Sequence, residues 1–151
     1  MSAAGMLALL FVACSPEPSA APTPTEAVEV DPSAPPSPAA PEYEPSGTAQ
    51  DNLPIFSEIT QQVWSSDQRA SGRAYIDALV AAGFDRSLMQ VTADRTTVGN
   101  PVESLQFSVR WGDAECLVGQ VGPSTGDPVT TVMPQLAEGR CLVGRTQPID
   151  W

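Results

Sequence analysis

Three cysteines and a set of carboxylates are the residues of this sequence that could do chemistry. The chain of 151 residues contains no His and all seven of its basic residues are Arg, so the usual nucleophile–base pairs of hydrolases cannot be assembled. Zinc would need carboxylate or thiolate ligands alone, and the sequence shows no cluster of them. We therefore expect no metal and no other cofactor, and any acid–base catalysis would depend on carboxylates.

Cys14 stands between an apolar run, residues 6–13, and the Pro-rich residues 15–18. The run is too short to cross a bilayer, which takes about 20 residues, but it suits the apolar part of an export signal. The arrangement resembles a bacterial lipoprotein signal, which is cleaved before a cysteine that carries diacylglycerol. We expect residues 1–13 to be the signal peptide and Cys14 to be lipidated. The alternative is an apolar N-terminus with a free, buried Cys14, because no basic residue precedes the run.

Cys116 and Cys141 lie in a repeated Cys-Leu-Val-Gly context. In an exported protein two such cysteines are typical of a disulfide, and closing this loop would contribute about 3.5 kcal/mol in the chain-entropy model. The alternative is a metal or redox pair, but the Cys-x-x-Cys spacing is absent. We predict a Cys116–Cys141 disulfide, which leaves Cys14 as the odd thiol.

The carboxylates do not indicate catalysis. Asp113 and Glu115 could serve as a glycosidase-like pair, but they follow Gly112 and are typical of a solvated hairpin turn. Asp94 and Arg95 follow a predicted strand, where a local ion pair is the ordinary role. The sequence therefore predicts that the protein is not an enzyme.

Two helices are expected before any strand. Apolar residues recur at helical spacing over 53–65, with Pro54 in the first turn of that helix. A second helix is predicted over 71–82. Gly83 in the left-handed conformation would end it, and Phe84 would fold back onto the helix.

Strands follow the helices. The clearest is 104–111, where apolar and polar residues alternate, and 111–115 turns the chain back as a hairpin into a strand at Cys116. Further strands are expected at 89–94, around 129–133 and around Cys141. This order predicts an α+β domain with both helices on one face of a four- to five-stranded antiparallel sheet.

Composition divides the chain into a linker and one domain. Residues 14–50 contain 10 of the 16 prolines and no basic residue, so they predict a disordered spacer. A Pro-rich docking ligand is the alternative. Residues 51–151 form the predicted domain, with 12 acidic residues against 7 Arg, a net charge of −5. This charge argues against nucleic acid and against direct adhesion to an anionic membrane.

Four stretches of the domain, residues 79–84, 89–96, 107–112 and 148–151, are similar to an uncharacterised family of secreted or lipoprotein domains in actinobacteria. The resemblance implies a location in the cell envelope and the limits of the domain. It implies no activity.

Two functions remain open after these exclusions. The first is a binding module without catalysis, tethered by Cys14 to the lipid bilayer at the outer face of the cytoplasmic membrane, whose partner is an envelope protein or a wall polymer. The second is a weak carboxylate-dependent hydrolase acting on cell-wall sugars.

The outward row of the clearest strand is the candidate interaction surface. It comprises Ser104, Gln106, Ser108 and Arg110, with Trp151 as a further member. Arg can form paired bonds to a carboxylate and Trp is enriched where partners bind. The alternative is an ordinary polar row of a half-exposed sheet, with Trp151 closing the core.

Overall fold

Two helices, α1 (Ala49–Trp64) and α2 (Gly72–Ala81), lie on one face of a four-stranded sheet in the computed structural model of the chain. Residues 39–122 and 125–151 are described by the structure. The predicted signal peptide, Cys14 and most of the predicted linker lie outside these residues. Pro38–Trp151 form one compact unit, and the predicted α+β architecture is confirmed.

The sheet is antiparallel throughout and its strands follow one another in chain order. They are β1 (Met89–Val91), β2 (Leu105–Trp111), β3 (Glu115–Val121) and β4 (Val129–Pro134). Helix α1 lies over β3 and β4, and α2 lies over β1 and β2. The predicted hairpin is confirmed, since β2 pairs with β3 along its whole length.

Alternation along the strands places one row of apolar side chains under the helices. Phe107 of β2 is fully buried and its ring packs 5.7 Å from that of Phe56 in α1 and 4.5 Å from that of Tyr75 in α2. Gly119 lies opposite Phe107 on β3, and a Cβ there would come within 2.4 Å of the Phe107 ring. The core therefore depends on glycine at this position to admit the ring.

Helix α1 begins earlier than predicted. Thr48 caps it, because its hydroxyl accepts from the Asp51 backbone N–H at 3.1 Å while the Asp51 carboxylate accepts from the Thr48 backbone N–H at 2.8 Å. The Thr48 hydroxyl also donates to the Asp51 carboxylate at 2.7 Å. This bond, and after it the one from the Thr48 backbone N–H, lowers the pKa of Asp51. Pro54 consequently lies beyond the first turn. Because proline has no backbone N–H, the helix lacks the hydrogen bond that another residue would donate at this position.

The domain also begins before the predicted boundary at residue 51. Asn52 is fully buried and holds the preceding segment, since its side chain accepts from the Glu44 N–H at 2.9 Å and donates to the Glu44 carbonyl at 2.8 Å. Tyr43 packs on Phe84 with 4.6 Å between ring centroids. The predicted end of the linker at residue 50 is therefore too late, because a buried amide fixes these residues.

The end of α2 follows the prediction. Gly83 has a φ of 109°, and the Phe84 N–H donates to the Leu79 carbonyl at 3.1 Å. This is the bond that a left-handed glycine makes available after a helix. It directs Phe84 into the core, where 2 % of it is exposed.

The predicted strand around Cys141 is absent from the sheet. Residues 140–147, here called the C-terminal strap, cross the outer face of the sheet instead. The Cys116–Cys141 disulfide, which is confirmed, ties the strap to β3, and the Cys141 N–H donates to Gln90 Oε1 of β1 at 2.8 Å. The Gln147 N–H donates to the Val91 carbonyl at 2.9 Å. The side-chain amide of Gln90 and the disulfide thus replace the strand ladder that local sequence predicted.

Candidate functional site

A pocket of about 460 Å³ opens at one end of the core. Leu105, the first residue of β2, and Val121, the last residue of β3, are buried at this end of the sheet and line it. Trp64, the last residue of α1, is half-buried and lines it from the helix layer. The open-end pocket, defined by these residues with Arg69 and Asp94, has the size of a small-molecule site.

The pocket exists because the two layers of the fold end at different places. Helix α1 stops at Trp64, and residues 65–71 carry the chain to α2 through the mouth of the pocket. Across from them, Asp94 and Val102 are joined by a backbone bond of 3.2 Å at the base of the loop between β1 and β2. Pro101 and Val102 of this loop form the facing wall. No helix covers this end of the sheet in the described part of the chain.

Two opposite charges line the pocket without pairing. The Arg69 guanidinium lies over the Trp64 ring, 5.8 Å from its centroid. Asp94 is half-buried, and its carboxylate accepts no hydrogen bond from the residues that the structure describes. No salt bridge joins Arg69 to Asp94 in residues 39–122 and 125–151, where the ion pairs both involve Asp77. The pocket therefore presents one cation and one anion that are free to meet a ligand.

Tyr75 fixes the loop that carries Arg69. Its ring is fully buried against Phe107, and its hydroxyl donates to the Arg69 carbonyl at 2.9 Å. Burial raises the pKa of Tyr75 to about 12, against a smaller lowering by the Arg69 charge. The backbone of Arg69 is thus held from within the core, while its side chain lies exposed at the pocket mouth.

A shallower groove of about 320 Å³ continues from the pocket past Asp94. Asp67 and Asp94 both line it, with Arg95. Asp94 lines both the pocket and the groove, whereas Asp67 lines the groove alone. Asp67 is exposed to solvent, whereas Asp94 is half-buried.

The structure does not bring the predicted interaction surface together. Ser104 is exposed, and Gln106 donates to Gln120 Oε1 at 3.3 Å. Ser108 is fully buried, because it lies between β1 and β3 where the strap crosses β2, and its hydroxyl has no partner among the described residues. Arg110 is half-buried beside Gly139 and forms no ion pair with the described residues, Asp113 included. The expectation of an outward row is wrong at Ser108 because tertiary contacts cover it.

Trp151 lies away from that row, against α2. Its indole N–H donates to Asp77 Oδ1 at 3.0 Å, and the Arg73 guanidinium lies 5.5 Å from its ring centroid. Its carbonyl accepts from Arg86. Trp151 packs against the core, as the alternative interpretation held.

The other candidate residues have ordinary local surroundings. Asp113 is exposed in the turn between β2 and β3 and Glu115 is exposed at the start of β3, so both are solvated as predicted. Asp94 and Arg95 form no ion pair in the described chain, since Arg95 donates instead to the Gly99 carbonyl at 2.9 Å. No group of three or more potential metal ligands occurs in residues 39–122 and 125–151. Within the same residues no helix has the length and apolarity needed to cross a membrane.

Sequence reasoning missed the open-end pocket. One signal was present: Trp64 ends the apolar face of α1 and is followed by the polar residues 65–69, so a large ring stands where the core gives way to solvent. Nothing in the local sequence, however, joins Trp64 to Asp94 or to Val121. They meet only through the packing of α1 on the sheet.

Residues 60–145 match the domain of unknown function DUF6993. The chain belongs to this family. Every residue that lines the open-end pocket falls inside the DUF6993 match, as do both cysteines of the disulfide. Tyr43 and Trp151 fall outside it. No curated protein and no solved structure matches the chain.

Proposed function

We propose that this chain is a lipid-anchored extracytoplasmic binding module that holds a ligand in the open-end pocket and catalyses no reaction. The observation that carries the proposal is the pocket itself, about 460 Å³ in volume and lined by Trp64, Leu105 and Val121. Apolar walls with a small number of charged groups are the usual construction of a ligand site. Arg69 and Asp94 supply those charges.

The hydrolase is the less favoured function. It rests on Asp67 and Asp94, which line one groove. A glycosidase needs one carboxyl that stays protonated because its surroundings are apolar. Asp67 is exposed and Asp94 is half-buried at a rim with two arginines, Arg69 and Arg95, close by, so neither carboxylate is in such surroundings. A binding site requires no protonated carboxyl and fits both residues as they are.

The extracytoplasmic location is supported by two features of the chain. The apolar run before Cys14 is typical of an export signal with a lipidated cysteine. The Cys116–Cys141 disulfide is typical of an oxidising compartment. Together they favour the outer face of the cytoplasmic membrane, and the earlier resemblance favours an actinobacterial source for the chain.

Metabolic labelling with an alkyne-tagged palmitate tests the anchor. The wild-type chain should incorporate the label and lose residues 1–13, whereas Cys14→Ala should incorporate none. Cys116→Ser/Cys141→Ser serves as the matched control, since it removes two other cysteines and should retain the label. Equal labelling of wild type and Cys14→Ala would contradict lipidation at Cys14.

Blocking the mouth of the pocket tests the binding function. Ala70 lines the mouth and is exposed, so Ala70→Trp should fill it without disturbing the core. Ala81→Trp, also exposed but at the end of α2, is the matched control. Each form of Pro38–Trp151 is immobilised, exposed to envelope extract, washed, and its retained compounds identified by mass spectrometry. Compounds held by wild type and Ala81→Trp but not by Ala70→Trp are expected, and equal retention by all three forms, including none, would count against the proposal.

A further inference from the structure

We propose that the open-end pocket takes a zwitterionic ligand with an apolar body, either an apolar amino acid or a short apolar peptide with both termini free. The ligand ammonium would meet Asp94, and the ligand carboxylate would meet Arg69. This inference rests on the proposed function, because it names the ligand class of the same site.

Unpaired opposite charges in one pocket are the main argument. Arg69 and Asp94 line the same walls but form no salt bridge with each other or with another described residue. A ligand carrying only a carboxylate would pair with Arg69 and also face the like charge of Asp94. A ligand carrying only an ammonium would have the opposite conflict. A zwitterion satisfies both charges, so charge complementarity selects it.

The walls select an apolar body between those charges. Leu105 and Val121 are almost fully buried at the inner end of the pocket, and Val102 and Trp64 are half-buried along its sides. Among the described lining residues, only Arg69, Asp94 and the Trp64 indole N–H carry a side-chain group that could hydrogen-bond a ligand. A sugar, with a polar group on nearly every carbon, would leave those groups unsatisfied there.

The two charged residues differ in how firmly they are held. Asp94 is half-buried, and its backbone is fixed by the Val102 N–H at 3.2 Å. The Arg69 backbone is fixed by the Tyr75 hydroxyl, but its side chain is exposed and rests on the Trp64 ring. The guanidinium can therefore leave the ring to meet a carboxylate while the loop stays in place. We expect Trp64 to be the residue whose surroundings change most on binding.

The experiment uses leucine, dileucine and trileucine as probes, because their free termini are the same and only the distance between them differs. Binding to Pro38–Trp151 is measured by calorimetry and by the indole N–H resonances of the three tryptophans. We expect one length to bind best and to shift the Trp64 resonance, while those of Trp111 and Trp151 stay in place. Ala70→Trp should abolish this shift.

Paired changes of protein and ligand then assign each charge. N-acetylation of the best probe should weaken binding to wild type about tenfold but leave binding to Asp94→Asn, already weakened, unchanged. C-terminal amidation of the probe should likewise weaken binding to wild type but leave the already weakened binding to Arg69→Gln unchanged. Asp127→Asn and Arg140→Gln, two exposed residues that line neither the pocket nor its groove, are the matched controls and should bind as wild type does.

Each outcome decides for or against the zwitterion. The proposal of a zwitterionic ligand is wrong if no probe length binds or if acetylation weakens binding equally in wild type and Asp94→Asn. It is also wrong if the resonance shift appears at Trp111 or Trp151 instead of Trp64. Should the probes fail while Ala70→Trp still loses compounds retained from envelope extract, the binding function stands and only the ligand class falls. If both tests fail, the binding function falls as well.

Discussion

The two ends of the core differ in how their aromatic residues are used. At the closed end, Tyr43, Phe84 and Trp111 form a cluster in which ring centroids lie 4.6 to 6.3 Å apart. The Trp111 indole N–H donates to the Gly47 carbonyl at 3.0 Å, so the segment before α1 covers the cluster. At the open end, Trp64 has no aromatic neighbour among the described residues, and a cavity remains beside it.

The difference shows where the fold is stabilised and where it is available for binding. Edge-to-face rings at 4.5–7 Å stabilise by about 0.5–1.5 kcal/mol per pair beyond the area that they bury. Three ring pairs lie in this distance range at the closed end, two of them edge-to-face, whereas Trp64 at the open end forms none with the described residues. Substitutions at the closed end should therefore act on stability, and substitutions at the open end should act on binding.

The largest expected effect is that of removing a ring from the closed end. Phe84→Ala should lower the free energy of unfolding by about 3–5 kcal/mol, because the ring is buried and its neighbours cannot close the cavity. Trp64→Ala is the matched change at the open end. It should lower the free energy by only about 1 kcal/mol, since the ring is half-exposed. Chemical denaturation measures both, and equal losses would break the comparison.

The next largest difference in stability between the two ends is expected when a side chain is enlarged. Gly83→Ala should lower the free energy of unfolding by about 1–3 kcal/mol, because φ is 109° there and the new Cβ would lie 2.9 Å from the Tyr43 ring. Ala70→Trp adds far more volume at the open end and should change it by less than about 0.5 kcal/mol. Thermal melts report both changes. A large loss in Ala70→Trp would mean that the pocket is part of the core.

Alkaline pH should act through Tyr75, which links the core to the open end. Its pKa is raised by burial from 10.0 to about 12, so the unfolded chain loses this proton first. The stability that the neutral phenol provides is present below pH 10 and is lost between pH 10 and pH 12. Tyr75→Phe removes the bond to Arg69, so its free energy of unfolding at neutral pH should be about 1 kcal/mol lower than that of wild type. Above pH 10, its free energy of unfolding should decline less than that of wild type. An identical pH profile in both forms would contradict this role.

The smallest effect is expected at Ser108, which is buried midway along β2 between the two ends. Its substitution provides a reference for the stability changes at either end. Its hydroxyl has no partner among the described residues, so Ser108→Ala should leave stability unchanged or raise it by up to about 1 kcal/mol. Denaturation under the same conditions as for Phe84→Ala measures the change. A loss above 1 kcal/mol would mean that the hydroxyl is bonded after all.

The parts of the fold that were predicted correctly depend on residues close together in sequence. The end of α2 at Gly83 needs only a glycine followed by an apolar residue, and the β2–β3 hairpin needs alternation interrupted by Gly112. The start of α1 was missed although Thr48 and Asp51 stand at the spacing of a capping box. The apolar periodicity of 53–65 begins only after this cap, so periodicity alone places the start of the helix too late.

The parts that were predicted wrongly depend on contacts between distant residues. The Cys141 segment has the composition of a strand, but it is held by Gln90 and by the disulfide to Cys116, so it covers Ser108 instead of joining the sheet. The pocket likewise joins Trp64, Asp94 and Val121, which lie in different elements. Alternation within one segment cannot report such contacts.

The sequence by itself determined the helices, the main hairpin, the disulfide and the absence of the usual catalytic pairs, because each follows from local spacing or from residue types that are present or missing. Tertiary structure alone decided that the strap covers part of the outer face of the sheet and which end of the core stays open. Both depend on where α1 stops relative to β2 and β3 and on the path of the strap. Packing sets these positions, since many weak contacts between distant residues outweigh the preference of any one segment.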